Sequence, residues 1–159
     1  MTIRLFILCL IISTPALTKP LTLHLVGGKS LQLPYSEIEN RLPSYSFSTS
    51  LPWYEGEQSF IGFRLQDLIQ QYQIATPVYI TLSALNDYRA DIDWSDITHF
   101  NPIIAYKRNG DEMMVREKGP YWFVFDLKRY PALDNHIYYE KMVWQISDIR
   151  FHNKLSGLK

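Results

Sequence analysis

The stretch IIAYKRNGDEMMVREKGPYWFVF, residues 103–125, decides how the chain reads. Ile103-Ile104-Ala105-Tyr106 is a short apolar run with β character. Asn109-Gly110 follows, the dipeptide best suited to a tight hairpin because both central positions need φ > 0. The return is expected through Met113-Met114-Val115, with a break at Gly119-Pro120. Tyr121-Trp122-Phe123-Val124-Phe125 then runs five apolar residues without alternation, the pattern of a strand buried on both faces. Aromatics that bury roughly 150–250 Å² each make this strand the expected centre of the core. Arg116, Glu117 and Lys118 sit just ahead of it, so a buried strand opens on a charged mouth.

Upstream of this stretch, short elements alternate. Leu21 to Val26 alternates apolar and polar residues, Gly27-Gly28 turns, and Lys29 to Leu33 returns as the second arm of a hairpin. Tyr35 to Leu42 carries Ile38 and Leu42 at helical spacing and stops at Pro43. Tyr45 to Ser50 alternates aromatic and hydroxyl residues as a strand, and Leu51 to Phe60 reads as a loop. Leu65, Leu68, Ile69 and Tyr72 mark a second helix after Gly62. Val78 to Leu82 and Tyr88 to Ile92 are strands about an Asn86-Asp87 turn, and Asp93 reads as the N-cap of a third helix, with Asp96 completing a capping box. Downstream, Tyr138-Tyr139-Glu140-Lys141 reads as an excursion before a last strand from Val143 to Phe151. The sum is one α+β domain, mostly β, with mixed sheets and short helices.

The first residues set the compartment. A short basic start ending in Arg4, an apolar run from Leu5 to Ile12, and small residues Ala16 and Thr18 before Lys19 together read as a signal peptide over residues 1–18. Cleavage after Ala16 is the alternative. The apolar run falls well short of the ~20 residues that span a bilayer. The expected product, residues 19–159, is periplasmic or secreted. Cys9 is the sole cysteine and leaves with the leader, so the remaining domain has no disulfide and no thiolate. At about 140 residues it can bury roughly two-thirds of its unfolded surface without cross-links. Removing Arg4 from 16 basic and 16 acidic residues leaves a formal charge of about −1. Such a balance gives no basis for binding nucleic acid.

The order of these pieces carries a resemblance. Gly62 ahead of the Leu65–Leu68–Ile69 helix, then a strand, Asn86-Asp87-Tyr88, Asn109-Gly110, Gly119-Pro120 and a closing Val143-Trp144-Gln145-Ile146 strand resemble the oxidoreductase molybdopterin-binding domain. This is the sulfite-oxidase-type fold, in a short exported bacterial form, and the resemblance runs from about Leu21 to Phe151. It implies a molybdenum–pterin cofactor, oxygen-atom or electron transfer, and a metal-ligating cysteine after the third strand. The equivalent segment here is Ser48-Thr49-Ser50-Leu51-Pro52-Trp53, which has no cysteine. A soft, readily deprotonated sulfur is what that metal chemistry requires, and a hydroxyl is far less acidic. The expectation is therefore a binding or accessory module with no cofactor. The alternative is an active molybdenum–pterin oxidoreductase with a non-cysteine ligand.

The resemblance places Thr49, Ser50, Trp53 and Tyr54 at the mouth. Asn86 and Tyr88 add an amide and a phenol, Arg116 and Lys118 positive charge, and Gly119 a close backbone approach. Together they form a candidate pocket for a small ligand, anionic or aromatic, with a membrane-bound or periplasmic protein as the expected partner. The alternative readings are that Trp53 and Tyr54 pin a loop, that Asn86-Asp87 serves only the turn, and that Arg116 and Lys118 form a solvated hairpin edge. His24, His99, His136 and His152 have no zinc spacing. Asp87, Asp91, Asp93 and Asp96 lack the loop of a calcium site.

Overall fold

The computed structural model describes residues 20–154, and the leader reading and Cys9 lie outside them. Two five-stranded sheets make up the body. The first contains β1 (Leu21–His24), β2 (Ser30–Leu33), β5 (Tyr79–Ala84), β6 (Arg89–Asp93) and β10 (Ile146–His152), in the order β2-β1-β10-β5-β6. All its pairings are antiparallel except β1 with β10. Alternation along each strand buries Leu21, Leu23, Ile80, Leu82, Ile92, Ile149 and Phe151 on one face and leaves the other polar.

The second sheet is built on β7 (Ile103–Arg108). On one side it pairs with β4 (Glu57–Phe63), which pairs in turn with β3 (Tyr45–Ser50). On the other it pairs with β8 (Asp111–Glu112) and then with β9 (Trp122–Val124). Asn109 and Gly110 both take positive φ, 53° and 92°, as the hairpin turn requires. Tyr121 to Phe125 are all fully buried, so the unbroken apolar run is the centre of the core. Gly62 lets β4 lie against β7, since a Cβ there would come within 2.2 Å of the Ile104 carbonyl oxygen.

One short segment stitches the sheets together. Phe123 N donates to Val143 O at 2.9 Å, Trp122 bridges Trp144, and Ile146 N donates to Tyr121 O at 3.0 Å. The chain then enters β10 and pairs with β5. The helices are α1 (Tyr35–Arg41), α2 (Leu65–Gln71), α3 (Trp94–Phe100) and α4 (His136–Lys141). None of the described helices is long and apolar enough to cross a membrane.

The structure corrects five local readings. The expected loop from Leu51 to Phe60 ends at Gly56, and Glu57 already pairs with Ser50. The return through Met113-Met114-Val115 stops at Glu112, because the chain curls into a 3-10 turn at Val115–Glu117, with Met114 and Val115 exposed. Asp93 occupies the N-cap of α3, but its side chain caps nothing, and the Asp96 carboxylate is held by Lys141 Nζ at 2.6 Å. The Tyr138–Lys141 excursion is the helix α4, started by Asn135, whose side chain accepts from Ile137 N. The last strand begins at Ile146, three residues later than expected.

Candidate functional site

An aromatic cavity of about 270 Å³ opens where the two sheets are stitched. Trp53 enters from the β3–β4 loop, Asn86 and Tyr88 from the β5–β6 turn, Tyr139 and Glu140 from α4, and Trp144 from the approach to β10. Trp53 stands nearly perpendicular to Trp144, with ring centroids 5.2 Å apart, and its centroid is 5.8 Å from Tyr139. Trp122 supports Trp53 from the core at 5.7 Å and is fixed by its own N–H, donated to Met142 O at 3.1 Å. Edge-to-face packing of this kind holds the rings rigidly. Neither Trp53 nor Trp144 donates its indole N–H to another described residue.

The turn on the opposite wall is pinned by two bonds. Asn86 Oδ1 accepts from Tyr88 N at 3.2 Å, an Asx turn that leaves the amide Nδ2 as a donor. The Tyr88 hydroxyl donates to Glu140 O at 2.9 Å, tying the turn to α4. Burial, with the Glu140 charge next, raises the Tyr88 pKa, so the phenol stays neutral.

Lys118 reaches the tryptophans from the 3-10 turn. Its Nζ lies 3.4 Å from the Trp144 centroid, 5.4 Å from Trp53 and 5.5 Å from Trp122. Burial, with the Arg108 charge next, lowers its pKa below the ordinary lysine value. Arg108 stacks its guanidinium 4.3 Å from the centre of the Tyr54 ring, which in turn packs on Trp122 at 6.0 Å.

Of the nine residues singled out from sequence, the cavity lining brings together Trp53, Asn86 and Tyr88. Lys118 joins them through the tryptophans, and Tyr54 lies behind Trp122 under Arg108. The other four are elsewhere. Thr49 is fully buried, and its hydroxyl accepts from Lys128 N at 3.2 Å, a structural brace. Ser50 is exposed at the end of β3. Arg116 is exposed beside Glu117. Gly119 is buried, and its lack of a side chain serves Met113, whose carbonyl oxygen would lie 1.8 Å from a Cβ. Sequence reasoning missed Arg108, Tyr139 and Trp144. Trp144 was visible within the last strand, but only the Trp122 bridge shows which way it brings its ring.

The donor set does not fit the cofactor implied by the family resemblance. No cysteine occurs among the described residues, and Thr49, in the segment that the resemblance sets against a metal-ligating one, is committed to Lys128. Glu140 is the one charged residue lining the cavity, and its sign is wrong for a pterin phosphate. Among the described residues no three His, Cys, Asp or Glu side chains are grouped to hold a metal.

Comparison with known proteins adds architecture. No family model and no curated protein matches the chain. Among solved structures, it is similar to the sulfane dehydrogenase SoxCD from Paracoccus pantotrophus, at a TM-score of 0.65 over 89% of this chain. The fold is shared. Identity is 11%, and this chain spans 40% of the length of that one. An α+β body of sheets with short helices is thus common to both, while the residues that fill it differ.

Proposed function

We propose that this chain is an exported binding module on a sulfite-oxidase-type scaffold. It takes a small flat ligand between Trp53, Tyr139 and Trp144, without molybdenum catalysis. The observation that carries the reading is the cavity itself: three aromatic rings held edge to face, two indole N–H groups without a described acceptor, and the Asn86 amide at the edge. A concave apolar site with a few convergent polar groups is what small-molecule recognition needs. A volume of about 270 Å³ suits one or two fused rings rather than a pterin with its phosphate arm. Delivery of the ligand, or of its occupancy, to a membrane-bound or periplasmic partner follows from the proposed export.

Two measurements test this. Tryptophan fluorescence of the purified full chain, titrated with benzamide as a neutral flat probe, should change saturably, and Trp144→Ala should abolish the change. A flat titration would overturn the cavity reading. Metal analysis of protein purified from a host that makes the molybdenum cofactor should find none bound. Stoichiometric molybdenum would restore the oxidoreductase alternative with a non-cysteine ligand.

A further inference from the structure

A second, smaller cleft of about 110 Å³ opens beside the start of β3. It shares no lining residue with the aromatic cavity. Arg64 enters it from the N-cap of α2 and Asn101 from the C-cap of α3. Arg129 and Tyr130 come from the turn that follows β9, and Ser46 from β3 itself. Both arginines line this one cleft, so a single small group can meet both side chains.

The two cations rest on aromatic rings rather than on acids. Arg64 stacks its guanidinium 3.8 Å from the centre of the Tyr45 ring, and that of Arg129 lies 5.4 Å from the centre of Tyr130. Neither enters an ion pair among the described residues. Arg64 Nε is also buried with no hydrogen-bond partner. A ring face offsets only part of what a guanidinium loses on leaving water, so the charge is left to be met. Asp126 is the one acid lining the cleft, against two cations. Its Oδ1 is taken up by the turn, accepting from Arg129 N at 3.0 Å, while Tyr130 N donates to Asp126 O at 2.9 Å. Asp67, three residues beyond Arg64, does not line the cleft and pairs with neither arginine.

The neutral groups add donors. Asn101 takes φ 49°, a left-handed conformation that asparagine enters more readily than most residues, and so closes α3. Its Oδ1 accepts from Gln66 Nε2 at 3.1 Å, which leaves the Nδ2 hydrogens as donors. Ser46 and Tyr130 supply hydroxyls. We infer that this cleft binds one small oxyanion, the carboxylate or phosphate headgroup of a small molecule. A planar guanidinium fork matches either group, and hydrogen bonds between ionised partners are the strong ones. The volume lies well below the roughly 300–1,000 Å³ of a site that encloses a whole ligand, so the headgroup enters and the rest stays outside. The site goes beyond the aromatic-cavity reading, and neither depends on the other.

The test follows backbone amide resonances of the full chain while inorganic phosphate, acetate or chloride is added at constant ionic strength. Phosphate or acetate should shift the amides of Ser46, Asn101 and Arg129 saturably, and the tighter of the two names the headgroup. Chloride should not shift them. Arg129→Gln, at an exposed position, should weaken the binding about ten- to a hundredfold, the range of a charge-assisted bond. Arg64→Gln should do the same, with a melting curve to confirm that it folds; Arg129→Gln decides the matter if it does not. Arg150→Gln, on the outer face of the first sheet, and Trp144→Ala, in the aromatic cavity, should leave the affinity within about twofold. Absence of saturable shifts with both oxyanions would overturn the site and leave the aromatic cavity untouched. Unchanged affinity in Arg129→Gln would overturn it as well. So would an equal loss in Arg150→Gln, the mark of diffuse charge attraction, or chloride binding as tightly as the oxyanions.

Discussion

A polar depression and the smaller aromatic cavity lie on opposite kinds of surface. The depression, about 520 Å³, runs across the outer face of the first sheet. Its groups answer one another: His24 Nε2 meets Asp148 Oδ1 at 2.9 Å, Thr81 donates to Asp91 at 2.6 Å, and Thr81 Oγ1 and His152 Nε2 lie 2.9 Å apart. The His152 ring stacks flat on Tyr79, with centroids 4.2 Å apart. The cavity, about half that size, is walled by Trp53, Tyr139 and Trp144, with Glu140 its one charged lining residue. Volume is therefore a poor guide to a site. An aromatic wall with a few polar groups at its edge is a better one, because a ligand gains most where the protein has not already satisfied itself.

Substitutions can break this contrast in order of effect. Gly119→Val should be the most damaging, since its Cβ would overlap the Met113 carbonyl oxygen and collapse the turn that carries Lys118. A loss of about 3–5 kcal/mol is expected, seen as a fall of more than ten degrees or so in Tm. An unchanged Tm would show that the turn tolerates a side chain. Trp53→Ala should come next, at about 2–3 kcal/mol, because the half-buried ring contacts Trp122, Trp144 and Tyr139. Benzamide binding should be lost altogether in that variant. Retained binding would move the ligand away from this wall.

Smaller effects sharpen the comparison. The Tyr121 hydroxyl is buried without a partner, so Tyr121→Phe should stabilise the fold by about 1 kcal/mol. A destabilised variant would mean that the hydroxyl has a use. Burial also raises the pKa of Tyr121 and Tyr35 above the tyrosine range, and burial with a bond to Glu37 raises Tyr72 to about 12. Above pH 10 the unfolded chain releases those protons while the folded one keeps them. Stability is then fully present below pH 10 and falls as pH rises toward 12. Denaturant midpoints across that range check the sign, and a rise would contradict it. Smallest of all, His24→Ala removes a part-exposed pair and should cost under about 1 kcal/mol, with no change in benzamide binding.

What was legible in the sequence follows from how local its cause is. The Asn109-Gly110 turn, the β5–β6 hairpin and the first three helices are written in neighbouring residues, and the structure has them. The unbroken Tyr121–Phe125 run announced its burial in the same way. The Met113–Val115 segment misled because its apolar residues suggest a strand, while the contact that decides its path is the close approach of Gly119. The helix α4 was hidden behind aromatics, although Asn135 two residues before Ile137 was a readable cap. Trp53, Asn86, Tyr88 and Lys118 were visible as polar or aromatic residues beside turns. Tyr139 was not, because it meets the site through a ring contact with Trp53, 86 positions earlier in the chain.

The place of β10 has one more consequence. It lies in the middle of the first sheet, parallel to β1 and antiparallel to β5, with partners lying about 60 to 126 positions earlier in the chain. As the nascent chain emerges, the β1–β2 and β5–β6 ribbons each wait with a bare margin for a final insert. Such margins invite edge-to-edge aggregation, and contacts so distant in sequence form slowly. The domain should therefore complete this sheet late and all at once, and a chain cut before Ile146 should yield two sticky ribbons rather than a smaller fold.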